Sequence, residues 1–508
     1  MSDNSSGTSL SKGKLGTAGI VFFVVAAAAP LLGMTGAVPV AMFLGNGAGA
    51  SGTYLAVGLL LALFAVGYSA MSQKVTNTGA FFAYVGRGLG RNAGVASAFA
   101  SIVGYVTIQL AIYGFFGGVM SFMVPGLPWY GWALVAWAVA TLLSLFSVDI
   151  GSKVLGVLMI LEVLALVVTA VAILVQNAGS IDFVAAFSPD AILAGGVTGT
   201  AGIAIAFAFA SFIGFEATAI YGEESKDPKR SVAKATYWAI GLITGLFAIV
   251  SLAMSTAMAS YSNPNAPEGF PNEGLYGYIA EFGGLDPAIG LTNPAGVLQH
   301  MADVSLGGTW MSTIMGYLVL TSCFAGILAF QNAISRYFFA MGRGGILPAS
   351  FGNTNNSGAP KNGVILTSVL ALVIMIGFAA AGLDGIGNLF TWMSAITAVA
   401  IMFVEVLVSI AIMVYLRKDG TFNIWKSTIA PLLSAVGLAA GLYLLMSRFN
   451  LLGNLAAEGV DPTLPESAWM LSPMGWAFVL SPFIAAVIGF VVAAATKSKR
   501  DLAADILS

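Results

Sequence analysis

Apolar runs recur along the chain at about residues 16–44, 53–72, 93–123, 130–148 and 152–176, then at 197–221, 235–259, 309–341, 363–382 and 388–415. Two more follow at 429–447 and 474–496. A helix crossing the hydrocarbon layer needs about 20 predominantly apolar residues, so the pattern predicts an all-α integral membrane protein with twelve spans. The first run is unusual. Ala26-Ala27-Ala28-Ala29-Pro30-Leu31-Leu32-Gly33-Met34-Thr35-Gly36-Ala37-Val38-Pro39 places two prolines and two glycines near mid-span. Proline removes a backbone donor and clashes with the preceding turn, and glycine leaves helical geometry cheaply. In lipid, opened backbone persists only where protein or a water-filled cavity satisfies it. The sequence therefore predicts a broken helix at membrane depth.

The polar stretches fix an orientation. With the connections numbered alternately and the N-terminus inside, 19 of the 20 basic residues fall on inner segments and only Arg448 falls outside. Lysine and arginine in short loops set topology in this sense. The longest outer connection, about 260–306, holds Glu268, Glu273, Glu281, Asp286 and Asp303 without a basic residue. The expected organisation is a cytoplasmic tail over 1–15, a core over 16–420, a helix pair within 421–496 and a cytoplasmic tail over 497–508. The first apolar run exceeds a signal-peptide core, so no cleavage is expected.

Composition agrees: 58% of residues are hydrophobic and 8% charged, against about 25% charged in soluble domains. A net charge of −2 excludes a nucleic-acid footprint. The single Cys323 permits no internal disulfide. The single His300 reads as a solvated loop residue that cannot build a metal site, and no cofactor or metal is expected. No His or Cys cluster and no nucleophile–base pair suggests an enzyme, and no filter motif suggests a channel.

The sixth run, Phe207-Ala208-Phe209-Ala210-Ser211-Phe212-Ile213-Gly214-Phe215-Glu216, is interrupted at Ser211 and Gly214 and ends in a charged stretch from Glu223 to Arg230. Interrupted spans at corresponding positions of two halves point to a transporter's binding site. Residues 209–235, FASFIGFEATAIYGEESKDPKRSVAKA, closely resemble the sixth-helix signature of the amino acid–polyamine–organocation permeases. Thr76 to Tyr84, Asp149 to Lys153 and Asn332 to Pro348 agree with the same family, over roughly residues 15–420. The resemblance implies a LeuT-type five-plus-five inverted repeat (about 16–180 and 195–420) with broken helices 1 and 6, followed by helices 11 and 12. It also implies secondary transport of amino acids or amines.

In such a site one half-helix offers its N-terminal N–H groups to a carboxylate and others offer free carbonyls to an ammonium. The residues expected at the substrate are Ala29, Pro30, Leu31, Gly33, Met34 and Thr35 for the carboxylate, and Phe209, Ala210, Ser211, Phe212 and Ile213 for the amine. Tyr105 and Gln109, four apart on one helical face, are candidates for the cavity wall. One of Phe207, Phe209 or Phe212 is the candidate gate. Pro30 departs from the Gly-x-Gly opening of many relatives, which displaces the carboxylate-binding amides or favours an amine.

Carboxylates within spans are costly and functional. Glu162 and Glu405 are candidates for the coupling ion, with Thr321 and Ser322 as hydroxyl ligands if that ion is sodium. Glu216 reads as a brace beside the pivot Gly214, and Lys226, Arg230 and Arg336 as inner-end gate charges with Lys74, Arg87 and Arg91. The leading expectation is a proton-coupled amino acid symporter of the plasma membrane, monomeric or homodimeric. The alternatives are a putrescine-like amine importer, an exchanger or, as a minority reading, sodium coupling.

Overall fold

The apolar runs become helices because a backbone in lipid must satisfy its own hydrogen bonds. The computed structural model describes residues 16–75, 81–146, 152–216, 218, 227–421, 423–453 and 455–496. The first run is α1 (Thr17–Ala28) and, after a break at Ala29, a helical stretch α2 (30–46) that alternates α and π turns. The chain reverses through residues 45–49 into α3 (Ala50–Ser72), followed by α4 (Phe81–Leu89), α5 (Arg91–Met123), α6 (Trp129–Leu145) and α7 (Ser152–Gln176). The second half brings α8 (Ala201–Phe212), α9 (Pro228–Met258), α10 (Gly274–Phe282), α11 (Ala295–Leu306), α12 (Trp310–Arg343) and α13 (Lys361–Ala380). It ends with α14 (Thr391–Asp419), α15 (Ala430–Ser447) and α16 (Pro473–Ala495).

Among the described residues nine helices are long and apolar enough to cross a membrane, or ten if the bent pair ending in α8 counts as one. The lipid-facing surface is visible as exposed apolar side chains: α7 alone presents Val157, Ile160, Leu161, Leu164, Val167, Val168, Val171 and Val175. The inner ring is α1, α2, α3, α5, α8, α12 and α14. There α1 packs on α7, α9 and α12, while α14 packs on α5 and α8. At one end Lys74 and Asp419 form an ion pair of 3.1 Å joining the ends of α3 and α14.

The long acidic connection, about 260–306, is more ordered than its polar composition suggests. It folds as α10, a two-stranded hairpin β1 (Leu285–Asp286) and β2 (Gly290–Leu291), and α11. α11 packs on the π-helical segment Gly33–Ala37, so the connection covers the turn that follows the first break. His300 is not simply solvated. Its ring stacks on Phe282 at 3.6 Å between centroids, and Nδ1 lies 2.6 Å from the Tyr278 hydroxyl. Burial holds its pKa below the usual imidazole range.

Candidate functional site

The first break turns on one residue. Ala29 has φ 45° and ψ 68°, a left-handed conformation that stops α1, and Pro30 then opens the next helical segment with no N–H of its own. Across the break the Ala29 N–H still reaches the Val25 carbonyl at 3.1 Å and the Gly33 N–H the Ala29 carbonyl at 3.0 Å, so only the backbone groups between these bonds lose the regular helical pattern. The second break follows α8, where Ile213 turns extended at ψ 131° and Gly214 takes φ 119°. The two breaks touch: a Cβ added to Gly214 would lie 2.9 Å from Ala27 Cβ and 3.2 Å from the Ala28 nitrogen. Gly214 therefore supplies both the positive φ and the closeness of approach that the crossing needs.

Beside this crossing a small cavity of about 30 Å³ is lined by Ala27, Ala28, Ala29, Leu32, Gly33 and Ala37 from the first run and by Ala210, Ser211 and Ile213 from the second. Ile108 and Ile112 of α5, Phe330 of α12, Phe390 and Ser394 complete it. Only Ser211 and Ser394 bring side-chain polarity, and no acidic or basic side chain lines it among the described residues. Ser211 Oγ donates to the Phe207 carbonyl at 2.7 Å and lies 3.2 Å from the Tyr54 hydroxyl. Gly33 faces Ser211 across the gap, its missing Cβ only 3.5 Å from Ser211 Cβ and 3.1 Å from the Phe247 ring. A zwitterion here would meet free backbone ends for its two charges and an apolar wall for its side chain.

Of the residues expected from sequence, Ala29, Gly33, Ala210, Ser211 and Ile213 come together on this cavity. The others lie outside its lining. Pro30 faces an outer groove between α1, α7 and α9. The Leu31 carbonyl accepts from Thr35 Oγ1 at 2.6 Å, and Met34, Phe209 and Phe212 are buried in the surrounding core. The face of α5 that meets the cavity carries Ile108 and Ile112 rather than Tyr105 and Gln109. Tyr105 packs behind Phe330 at 6.2 Å, and Gln109 donates to Gln331 at 2.6 Å. Leu32, Ala37, Phe330, Phe390 and Ser394 are lining residues that sequence reasoning missed. Among the candidate gate phenylalanines, Phe207 backs Phe390 at 6.4 Å and Phe212 packs on Phe247 at 5.8 Å.

Glu162 is buried immediately beside the break. Ser322 Oγ donates to its Oε2 at 2.7 Å, and the Leu31 N–H, an orphan donor of the first turn of α2, faces the same carboxylate. A negative group is favoured at such a helix N-terminus. Thr321 turns away and donates to the Leu318 carbonyl at 2.8 Å. Glu216 braces the second break by accepting the Gly214 N–H through Oε2 at 2.9 Å. Glu405 is buried on α14 away from the cavity. Toward the Lys74–Asp419 end, Arg230 is exposed on the first turn of α9, and Arg336 Nη1 donates to the Asn332 carbonyl at 3.4 Å. Arg91 donates to the Ala493 carbonyl at 2.6 Å. Lys226 lies outside the described residues.

Residues 26–501 match the family model described as amino acid permease. The branched-chain amino acid permease BcaP of Lactococcus lactis is 24% identical over 422 residues, covering 78% of this chain and 81% of that protein. The aromatic amino acid transport protein AroP of Salmonella typhimurium is 21% identical over 402 residues, covering 76% and 80%. Among solved structures, the manganese transporter of Eremococcus coleocola shares the fold with a TM-score of 0.56 and 12% identity over 97% of this chain and 99% of that one. A multi-pass helical bundle, two breaks meeting at a small apolar cavity and a family match over nearly the whole chain lead to one conclusion: this chain belongs to the amino acid permease family and is an amino acid transporter of the membrane.

Proposed function

We propose that the protein imports neutral, apolar amino acids by proton-coupled symport, with the substrate held between the two helix breaks. The observation that carries this reading is the cavity lining, drawn from both breaks: two serine hydroxyls and otherwise apolar side chains. The α-ammonium is bound by open carbonyls at the ends of α1 and α8, and the carboxylate at the N-terminal end of α2. Ala210 leaves room for a branched or aromatic side chain against Ile108, Ile112, Phe330 and Phe390. The amino acids that BcaP and AroP are named for, branched-chain and aromatic, agree with such a wall. A polyamine would need carboxylates in the cavity, and the buried glutamates do not line it.

Glu162 carries the coupled proton. Ionised, it caps the start of α2 and accepts from Ser322, which holds the break in its present geometry. Protonated, it gives up the charge–N-terminus attraction, worth about 0.3–2 kcal/mol, and loosens α2 against α7. The supporting frame is a twelve-span, plasma-membrane protein with both termini cytoplasmic. Its two five-helix halves (about 16–180 and 195–420) rock around the site by alternating access.

The test is uptake by purified protein in liposomes of labelled leucine, phenylalanine, arginine and putrescine under imposed proton or sodium gradients. Leucine or phenylalanine uptake driven by an inward proton gradient, and lost from gradient control in Glu162→Gln, is expected. Preferential putrescine uptake, or indifference to the proton gradient, would sink the reading.

A further inference from the structure

The groove that Pro30 faces is far larger than the cavity at the crossing. It runs between α1, α7 and α9 with a volume of about 930 Å³. Its walls have matching lengths: Thr17 to Pro30 on the first broken helix, Met159 to Val171 on α7 and Trp238 to Val250 on α9. The twelve residue steps of the α7 and α9 walls, at 1.5 Å each, give about 18 Å, slightly more than half of a hydrocarbon layer about 30 Å thick. The side chains lining it are apolar except for the Thr17 hydroxyl and the Trp238 indole N–H, each the first residue of its wall. There Thr17 Oγ1 donates to Ser231 Oγ at 3.2 Å and ties the start of α1 to the first turn of α9.

Two features separate this groove from ordinary lipid-facing surface, and both lie on α9. Gly241 and Gly245 stand one turn apart on its wall, and a Cβ added to either would meet nothing within 4 Å among the described residues. Glycine inside a helix is less favourable than alanine, and here it makes no room for a neighbouring helix. Gly58 of α3 shows the usual case, since a Cβ there would lie 2.1 Å from Thr244 Oγ1 on another face of α9. The second feature is charge. Arg230, Lys234 and Trp238 follow one another at four-residue spacing, all exposed, and lead into the two glycines on the same face. From the helix start inward, the stripe offers two cations, an indole and then open space. Tryptophan favours the membrane–water interface, and basic residues beside a gap between membrane helices recognise anionic lipid head groups. Asp227, exposed just before α9, is three residues from Arg230 and seven from Lys234, which makes Lys234 the principal anchor.

We propose that this groove binds one anionic glycerophospholipid, with its phosphate at Lys234 and Arg230 and one acyl chain laid along Gly241 and Gly245 toward Pro30. Lipid is the occupant because the wall is continuous with the exposed apolar surface of α7, sharing Ile160, Leu164 and Val171 with it. An anionic head on an apolar chain matches both ends of the groove. The chain reaches Pro30 at the first break and Met159 and Val163 on either side of Glu162. Bound lipid therefore braces α1 against α7 and α9 in this arrangement. Only an effect of that brace on transport rests on the reading above; the lipid site does not.

Native mass spectrometry of the purified full chain, titrated with phosphatidylglycerol or phosphatidylcholine of matched chains, tests it, with circular dichroism reporting the fold of each variant. The wild type is expected to bind one phosphatidylglycerol roughly five- to thirtyfold more tightly than phosphatidylcholine. Lys234→Gln is expected to cut that preference about fivefold. Gly241→Leu combined with Gly245→Leu is expected to weaken binding of both lipids about tenfold or more by filling the groove. Equal affinity for the two lipids in the wild type, or a preference unchanged by Lys234→Gln, would overturn the proposal. So would undiminished phosphatidylglycerol binding in the folded leucine pair, or a dimer of the lipid-free wild type that the leucine pair abolishes, which would give the groove to a second copy of the chain. Lys234→Gln changes only an exposed side chain and carries the test if the leucine pair does not fold. Lipid binding is read without transport, so failure of amino acid uptake would overturn the proposed substrate and leave the lipid site standing.

Discussion

At the scale of single residues, the site depends on what is missing at three positions. Gly214 has φ 119° and no space for a Cβ against Ala27, which sits on the other broken helix. Gly214→Ala combines backbone strain of order 1–3 kcal/mol with a clash, so it is expected to cut uptake at least tenfold or to lower the melting temperature of the purified protein; wild-type behaviour in both assays would contradict the crossing described here. Ala210 and Gly33 leave open volume that side chains would otherwise fill. Arg448 illustrates the opposite. Read from sequence as the one basic residue on the outer side, it proves fully buried, with Nη1 and Nη2 donating to the Leu464 and Pro462 carbonyls at 2.9 and 2.8 Å. Arg448→Met strands those acceptors, at about 1–3 kcal/mol each. Thermal unfolding is expected to shift down by several degrees while substrate affinity per folded molecule is retained.

At the scale of elements, both breaks were legible because proline, glycine and serine interrupt otherwise continuous apolar runs. What surrounds them was not. Helices α5, α12 and α14 are apolar on nearly every face, so periodicity does not say which face turns inward, and Ile108, Phe330 and Ser394 carry no mark that separates them from neighbours. The same ambiguity placed Tyr105 and Gln109 at the wall when their shared face turns toward α12. The acidic connection was legible as polar, but not as a cover over residues 33–37, because that packing is a long-range contact. That cover makes a prediction of its own. His300 has its pKa lowered by burial against Phe282 and Tyr278, so the folded connection prefers the neutral ring. The stability this gives is present above the ordinary imidazole pKa of about 6.5 and is lost as pH falls through the lower folded value. Hydrogen exchange over residues 274–306 is expected to accelerate on acidification in the wild type, and the acceleration to disappear in His300→Gln.

At the scale of the whole molecule, the charge pattern and the helix pattern address the same problem, the cost of polar groups in lipid. Buried carboxylates are few among the described residues: Glu162 and Glu216 sit at the breaks, and Glu405 lies apart from them on α14. In the proposed reading, a substrate's two charges are met by backbone in a wall that carries no charged side chain among the described residues. The most direct test is equilibrium binding, to purified wild type and Gly33→Val, of whichever labelled amino acid leads the uptake panel. The added side chain meets Phe247 and Ser211, and overpacking of this kind costs about 1–3 kcal/mol. Affinity is predicted to fall roughly five- to a hundredfold with the fold intact; a folded Gly33→Val that binds as tightly as wild type would place the substrate elsewhere.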